Sequence, residues 1–145
     1  MTTRDTVHEL LRRIGESDPE GVAELFAEQS DWRFSWPDEG HPSVPWIRPR
    51  ASRADVAEHF GALGAHHAPE RNRTTVTRIL VDGDDAVVLG TIAQTVKIND
   101  VSYTSPFALH LTVEGGLITR YHIYEDSLTV ARALSGDTGP DRRVP

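Results

Sequence analysis

The sequence contains no cysteine, so disulfides, thiolate nucleophiles and cysteine-ligated zinc are excluded at once. It also lacks any apolar run approaching the roughly 20 residues that span a membrane. The opening Met1-Thr2-Thr3-Arg4-Asp5 lacks the hydrophobic core of a signal peptide, which leads us to expect a cytoplasmic protein. Positive charge is in deficit: 15 Lys and Arg stand against 22 Asp and Glu, for a net charge of -7 and no basic stripe. Nucleic acid and anionic membranes are therefore not expected as partners, which leaves a small molecule or another protein. What remains is an ordinary soluble composition, 38% hydrophobic and 26% charged, in 145 residues. That length supports one domain with its own core, expected over 1–135, followed by a flexible tail over 136–145.

Thr2 and Thr3 can cap a helix in which Val7, Leu10, Leu11 and Ile14 form a buried stripe ending near Gly15. Asp18-Pro19 reads as an N-cap followed by a first-turn proline, opening a second helix with Val22, Leu25 and Phe26 inward. The segment 31–36 alternates, with Trp32, Phe34 and Trp36 on one face; these rings are either plain core or the lining of an apolar pocket. Pro37, Pro42, Pro45 and Pro49 then exclude a regular element up to Ala51, leaving a loop with Trp46 that is either a pocket cover or a surface connection. Ser52-Arg-Ala-Asp55 is a capping box for a third helix, whose Val56, His59, Phe60, Leu63 and His67 share a stripe. His59 on that stripe is either a packed, hydrogen-bonded imidazole or a catalytic one. His66 and His67 point in different directions on a helix and have no carboxylate at ligand spacing, so no metal is expected.

From Arg73 the pattern becomes a meander. Strands are predicted over 74–81, 86–98, 101–113 and from Gly116 to Tyr124, separated by Asp82-Gly83-Asp84-Asp85, Asn99-Asp100 and Glu114-Gly115-Gly116. The acidic turn at 82–85 is turn chemistry, too short for a calcium loop. After Glu125-Asp126-Ser127 the spacing turns helical, with Leu128, Ala131 and Leu134 on one face. Long antiparallel strands twist and curl, so the expected fold class is α+β, a curved, mostly antiparallel sheet. Three helices from the first half would cover its concave face, and a short helix would end the chain.

This order of elements resembles the SnoaL-like branch of the nuclear-transport-factor-2-like superfamily, from Val7 to Leu134. The residues that carry the likeness are Ser52-Arg-Ala-Asp-Val-Ala-Glu-His-Phe60 and Gly116-Leu-Ile-Thr-Arg-Tyr-His-Ile-Tyr-Glu-Asp126. They are similar to that family's third helix and to its Gly-(Lys/Arg)-Ile-x-x-(Trp/Tyr)-x-x-Tyr-x-Asp ending. The superfamily includes ketosteroid isomerases, polyketide cyclases and limonene-type epoxide hydrolases as well as non-catalytic members. The places of the hydrolases' Asp-Arg-Asp set fall on Gly90, Ile92 and Ile123, and the isomerases' base on Phe34, so neither set is kept.

The resemblance also assigns faces. It implies that Gly90, Ile92, Gln94, Ser105, Phe107, Leu109, Tyr121, Ile123 and Glu125 point into the cone. With Trp32, Phe34, Trp36, His59 and Phe60 they make an aromatic chamber, and the expected ligand-binding residues are Trp32, Phe34, Trp36, Phe60, Ile92, Gln94, Ser105, Phe107 and Ile123. Thr91, Ala93, Thr95, His110, His122 and Tyr124 would lie on the outer face, the expected homodimer interface. Within the chamber, Glu125 raised by desolvation is a candidate acid or base, His59 its partner, and Tyr121 a donor to a developing oxyanion. The expected activity is a cofactor-free isomerisation or cyclisation of a bulky apolar or aromatic metabolite. The alternative is a non-catalytic protein of the same fold that binds such a molecule, with Glu125 merely capping the last helix.

Overall fold

The structure is a computed structural model and describes residues 1–136; from residue 137 onward the expected tail lies outside the described residues. Thr2 accepts from the Asp5 N–H (3.1 Å) while the Asp5 carboxylate accepts from the Thr2 N–H (3.0 Å), a reciprocal cap that starts helix α1 (Thr3–Gly15). Asp18 accepts from the Gly21 N–H and Pro19 takes the first helical position, but helix α2 (Pro19–Ala23) lasts little more than one turn. The second helix was expected to carry Leu25 and Phe26. Instead Phe26 opens strand β1 (Phe26–Phe34), because a distant strand supplies partners that local spacing cannot show: the Ile118 N–H donates to the Leu25 carbonyl at 2.8 Å.

The capping box at Ser52 and Asp55 forms as read and begins helix α3 (Arg53–His66). Strands β2 (Arg73–Asp82), β3 (Asp85–Thr95), β4 (Ser102–Glu114) and β5 (Leu117–Glu125) follow, and Asp126 caps helix α4 (Ser127–Leu134). On α4 the buried residues are Val130, Ala131 and Ala133; Leu128, expected on that face, is 58% exposed. The eight-residue helix packs through Val130, Ala131 and Ala133 on Val44, Trp46, Val96 and Tyr103, and Leu128 on its first turn stays in solvent.

All five strands form one sheet in the order β1-β5-β4-β3-β2, antiparallel except for β1 beside β5. Register fixes the faces, since residues directly opposite each other point the same way. One side carries the rows Trp32–Tyr121–Leu111–Ala86, Phe34–Ile123–Leu109–Val88, Glu125–Phe107–Gly90, Ser105–Ile92–Thr74 and Tyr103–Gln94. The other carries Asp31–Arg120–Thr112–Asp85 and Arg33–His122–His110–Val87. Helices α1, α2 and α3 cover the first side and make it the core: Val7, Leu10, Val22 and Val56 are fully buried against Leu111, Ile118 and Phe26.

A second core lies toward the opposite end of the sheet, and the proline-rich loop supplies two of its seven buried residues, Val44 and Trp46. Val44 and Trp46 are 0% and 3% exposed and pack with Val96, Tyr103 and Val130. The loop is thus more than a simple surface connection; it is pinned by two buried side chains. Gly90 shows the close approach that closes the sheet there, since a Cβ would stand 2.1 Å from the Thr75 carbonyl oxygen and 3.0 Å from the Phe107 ring. The β2 strand bulges beside it, between Val76 and Arg78.

Candidate functional site

Between α1, α3 and the covered sheet face lies a chamber of about 120 Å³. Its apolar walls include Phe34, Phe60, Ile92, Phe107 and Ile123, and its polar groups come from His59, Gln94, Tyr103, Tyr121 and Glu125. An adjoining cavity of about 160 Å³ shares Ile14, Phe60, Leu63 and Gln94 and reaches the exposed Ser17, Gly64 and Asn72. The chamber alone suits something near the size of one ring, since roughly 150 Å³ holds benzene. A larger molecule has room only if it extends through the adjoining cavity.

Glu125 sits at the end of β5, where the strand gives way to α4. Its Oε2 accepts from the Trp36 indole N–H at 2.9 Å, and its N–H donates to Ser35 Oγ at 2.9 Å. Oε1 has no hydrogen-bond partner among the described residues. Burial pushes this carboxyl above the usual carboxylate range, the Trp36 bond opposes the rise, and the Asp126 charge adds to it. The helix cap is supplied by Asp126, whose carboxylate accepts from the Thr129 N–H and hydroxyl, so Glu125 is not needed for it.

Tyr121 stacks on Trp32, ring centroids 4.1 Å apart, and its hydroxyl has no partner among the described residues. Burial first, and the Glu125 charge second, raise its pKa and keep the O–H protonated. His59 lies edge-on to Trp32 and Phe60, 4% exposed, with a buried Nδ1 that meets no partner. Burial and then the Arg50 charge push its pKa down to about 3, against a weaker pull from the Trp46 carbonyl. The ring is therefore neutral around pH 7. It can share a hydrogen bond with a ligand but does not carry a proton to one as an imidazolium, which narrows the acid/base role expected for it.

At the far end, the Tyr103 hydroxyl lies 2.8 Å from His67 Nε2 and 2.7 Å from Gln94 Oε1, and His67 Nδ1 lies 2.8 Å from the Leu63 carbonyl. A carbonyl only accepts, so Nδ1 carries the proton. Burial lowers the His67 pKa and favours the neutral ring, whose Nε2 then accepts from Tyr103. With its one proton spent, Tyr103 can only accept from Gln94. The Gln94 amide group then turns its N–H toward Tyr103 and leaves its carbonyl for the chamber.

Of the residues singled out in the sequence, His59, Tyr121, Glu125, Phe34, Phe60, Ile92, Gln94, Phe107 and Ile123 line the chamber. Trp32, Trp36 and Ser105 stand off it. Trp32 backs Tyr121, Trp36 lies past the end of β1 and holds Glu125, and Ser105 Oγ accepts from the Asp126 N–H at the turn into α4. Tyr103 and Trp46 also line the chamber; Tyr103 was not anticipated, and Trp46 comes from the loop read as either a pocket cover or a surface connection. Tyr103 was within reach, lying two residues before Ser105 on the inward parity of β4. Among the described residues no set of three or more acidic, histidine or cysteine side chains converges to hold a metal, and no helix is long and apolar enough to cross a membrane.

The family model for the SnoaL-like domain matches residues 7–121. The chain belongs to the SnoaL-like family. Solved structures share the nuclear-transport-factor-2-like fold of this SnoaL-like domain at low identity. An NTF2-like protein from Burkholderia thailandensis is 18% identical with a TM-score of 0.77, covering 92% of this chain and 98% of its own. TerC, co-crystallised with polyporic acid, is 16% identical with a TM-score of 0.76 and the same coverage, 92% and 98%. A Catenulispora acidiphila protein with a ketosteroid isomerase-like fold, in complex with trimethylamine, is 16% identical with a TM-score of 0.72, covering 97% of each chain. At these identities the likeness establishes the fold of the SnoaL-like chain and not its chemistry. No curated protein matches the sequence.

Proposed function

We propose that the protein is an acid/base catalyst that isomerises or cyclises a largely apolar molecule whose reacting ring occupies the chamber and whose remainder extends through the adjoining cavity. The observation that carries this reading is Glu125: the one carboxylate lining the chamber, fixed through one oxygen by Trp36 and with the other oxygen unpartnered among the described residues. Desolvation makes it a stronger base than a surface glutamate and lets it hold the proton it has taken. Glu125 would remove a proton from carbon beside a carbonyl and return it elsewhere on the ring. Tyr121, protonated and unpartnered, would donate to the developing oxyanion, and neutral His59 and the Gln94 carbonyl would orient the ligand. Such proton transfer calls on no cofactor. The reading takes the protein to be cytoplasmic and homodimeric through the outer sheet face, where Leu80 and Tyr124 are 45% and 52% exposed.

A small β,γ-unsaturated cyclic ketone provides the test. Wild type should convert it to the conjugated isomer, and Glu125→Gln should lower the rate by ~10²–10⁴. The wild-type rate should rise as pH climbs through the raised Glu125 pKa. Binding without turnover would instead support the reading of a metabolite-binding protein, and an unchanged rate in Glu125→Gln would remove Glu125 from the chemistry.

A further inference from the structure

A second cleft, of about 410 Å³, lies outside the chamber between the end of β1 and the proline-rich loop. Phe34 is the wall the two share. The cleft is bordered on one side by Trp32, Phe34 and Trp36 and on the other by Ile47, Arg48 and Arg50. Two of these residues carry buried N–H donors that nothing satisfies, Trp32 Nε1 and Arg50 Nε. Buried donors are nearly always paired, and each one left open costs about 1–3 kcal/mol.

The charges point the same way. The Arg50 side chain is 1% exposed, and its other nitrogens are committed to the protein: Nη1 donates to the Asp55 carbonyl (3.2 Å) and to Glu58 Oε1 (3.1 Å), and Nη2 to the Trp46 carbonyl (3.2 Å). That Glu58 oxygen also accepts from Arg48, so two guanidinium groups share one carboxylate oxygen. The Asp55 carboxylate is occupied by the Ala51 and Ser52 N–H groups. The remaining charges at the rim, Arg33 and Asp38, are exposed and of opposite sign. The buried positive charge of Arg50 is thus only partly compensated, and burial and Arg48 push its pKa down, as expected of a cation short of an anion.

We propose that this cleft is a second binding site, separate from the chamber, which takes the carboxylate of a small aromatic acid. The two open N–H donors would each receive one carboxylate oxygen, and the rings of Phe34 and Trp36 with Ile47 would pack on the aromatic body. Two donors match the two oxygens of a carboxylate and underserve a phosphate, whose additional oxygens and charge would find no further buried donor here.

Calorimetric titration of the full chain with benzoate tests this. Wild type should bind benzoate saturably, and its neutral isostere benzamide at least ~10-fold more weakly, as a charged hydrogen bond of 1.5–3 kcal/mol implies. Arg50→Gln should abolish benzoate binding. To separate loss of the guanidinium from loss of the fold, Trp32→Phe serves beside it, keeping an aromatic ring and removing the N–H. It should melt near the wild-type temperature and bind benzoate ~5- to 20-fold more weakly. Ile92→Phe, which narrows the chamber and does not border the cleft, should bind benzoate as wild type does. The proposal is overturned if benzoate does not bind, if benzamide binds equally well, or if Trp32→Phe binds as wild type. It is also overturned if Ile92→Phe abolishes binding, which would put the acid in the chamber, or if inorganic phosphate competes as strongly as benzoate.

Discussion

Helix α3 buries a histidine near its middle and another at its C-terminal cap, and the two are built on opposite terms. His67 spends both ring nitrogens, on the Leu63 carbonyl and on Tyr103, and Tyr103 is itself tied to Gln94. His59, two turns earlier, is packed just as tightly among Trp32, Phe34 and Phe60, yet its Nδ1 meets nothing. Buried polar groups are ordinarily satisfied, so the first arrangement stabilises the protein and the second costs it stability. The chamber lies between them, and its open groups are His59 Nδ1, the Tyr121 hydroxyl and Glu125 Oε1. The His67 end holds the shape while the His59 end is left available for a ligand.

Removing the Tyr103 hydroxyl should show the largest difference between the two ends. Tyr103→Phe leaves His67 Nε2 and the Gln94 amide without their partner and should cost about 1–3 kcal/mol in denaturant unfolding at pH 7. His59→Phe, by contrast, replaces a ring with a ring and removes the unsatisfied Nδ1 along with the weak Trp46 interaction, so it should cost less than Tyr103→Phe at that pH. If Tyr103→Phe proved neutral, the far-end network would not be the anchor described here.

Acid should sharpen the same contrast. The His59 pKa is lowered from 6.5 to about 3, so the neutral ring contributes stability that is complete above pH 6.5 and is lost as pH falls from there toward 3. Each pH unit in that window should cost wild type up to about 1.4 kcal/mol more than it costs His59→Phe. Glu125 works in the opposite sense: its raised pKa favours the fold below pH 4.5, and that contribution is lost as pH rises through the raised value. Glu125→Gln should therefore gain on wild type toward neutral pH. Parallel acid unfolding curves for wild type and His59→Phe would mean that the ring is not held neutral by its burial.

Much of this was legible in the sequence because it rests on local chemistry. The cap at Thr2, the capping box at Ser52 and the meander follow from residue spacing, and the inward parity from Gly90 to Glu125 is what the family resemblance implied. Phe26 was misassigned because its strand partner, β5, comes some ninety residues later, and helical spacing in a short segment cannot register that. Trp36 reads as a pocket residue by alternation, yet β1 ends before it, and its ring turns to hold Glu125 from behind. Tyr103 continued a parity that was already assigned. Trp46 was hidden in an aperiodic loop whose burial depends wholly on what the rest of the fold brings to it.

The outer face supplies a third histidine and the smallest expected effect. His122 Nε2 lies 2.9 Å from Asp31 Oδ2, geometry as good as that of His67, but Asp31 is 45% exposed and has two further cations nearby, Arg33 at 3.5 Å and Arg120 at 3.8 Å. Burial raises the Asp31 carboxyl, and the His122 bond with the Arg33 charge outweighs it, leaving the group below its ordinary value. Its contribution is therefore present above pH 3.8 and lost as pH falls below it. In water-facing surroundings such a pair is worth about 0.2–1 kcal/mol, less where other cations can take over. His122→Asn should accordingly lower stability by no more than that at pH 7, and by less still in about 1 M salt, where the screening length falls to roughly 3 Å. Ligand binding in the chamber should not change. A loss above about 2 kcal/mol would show that hydrogen-bond geometry, rather than burial, decides what these histidines contribute, and the distinction drawn between the two ends of α3 would fail with it.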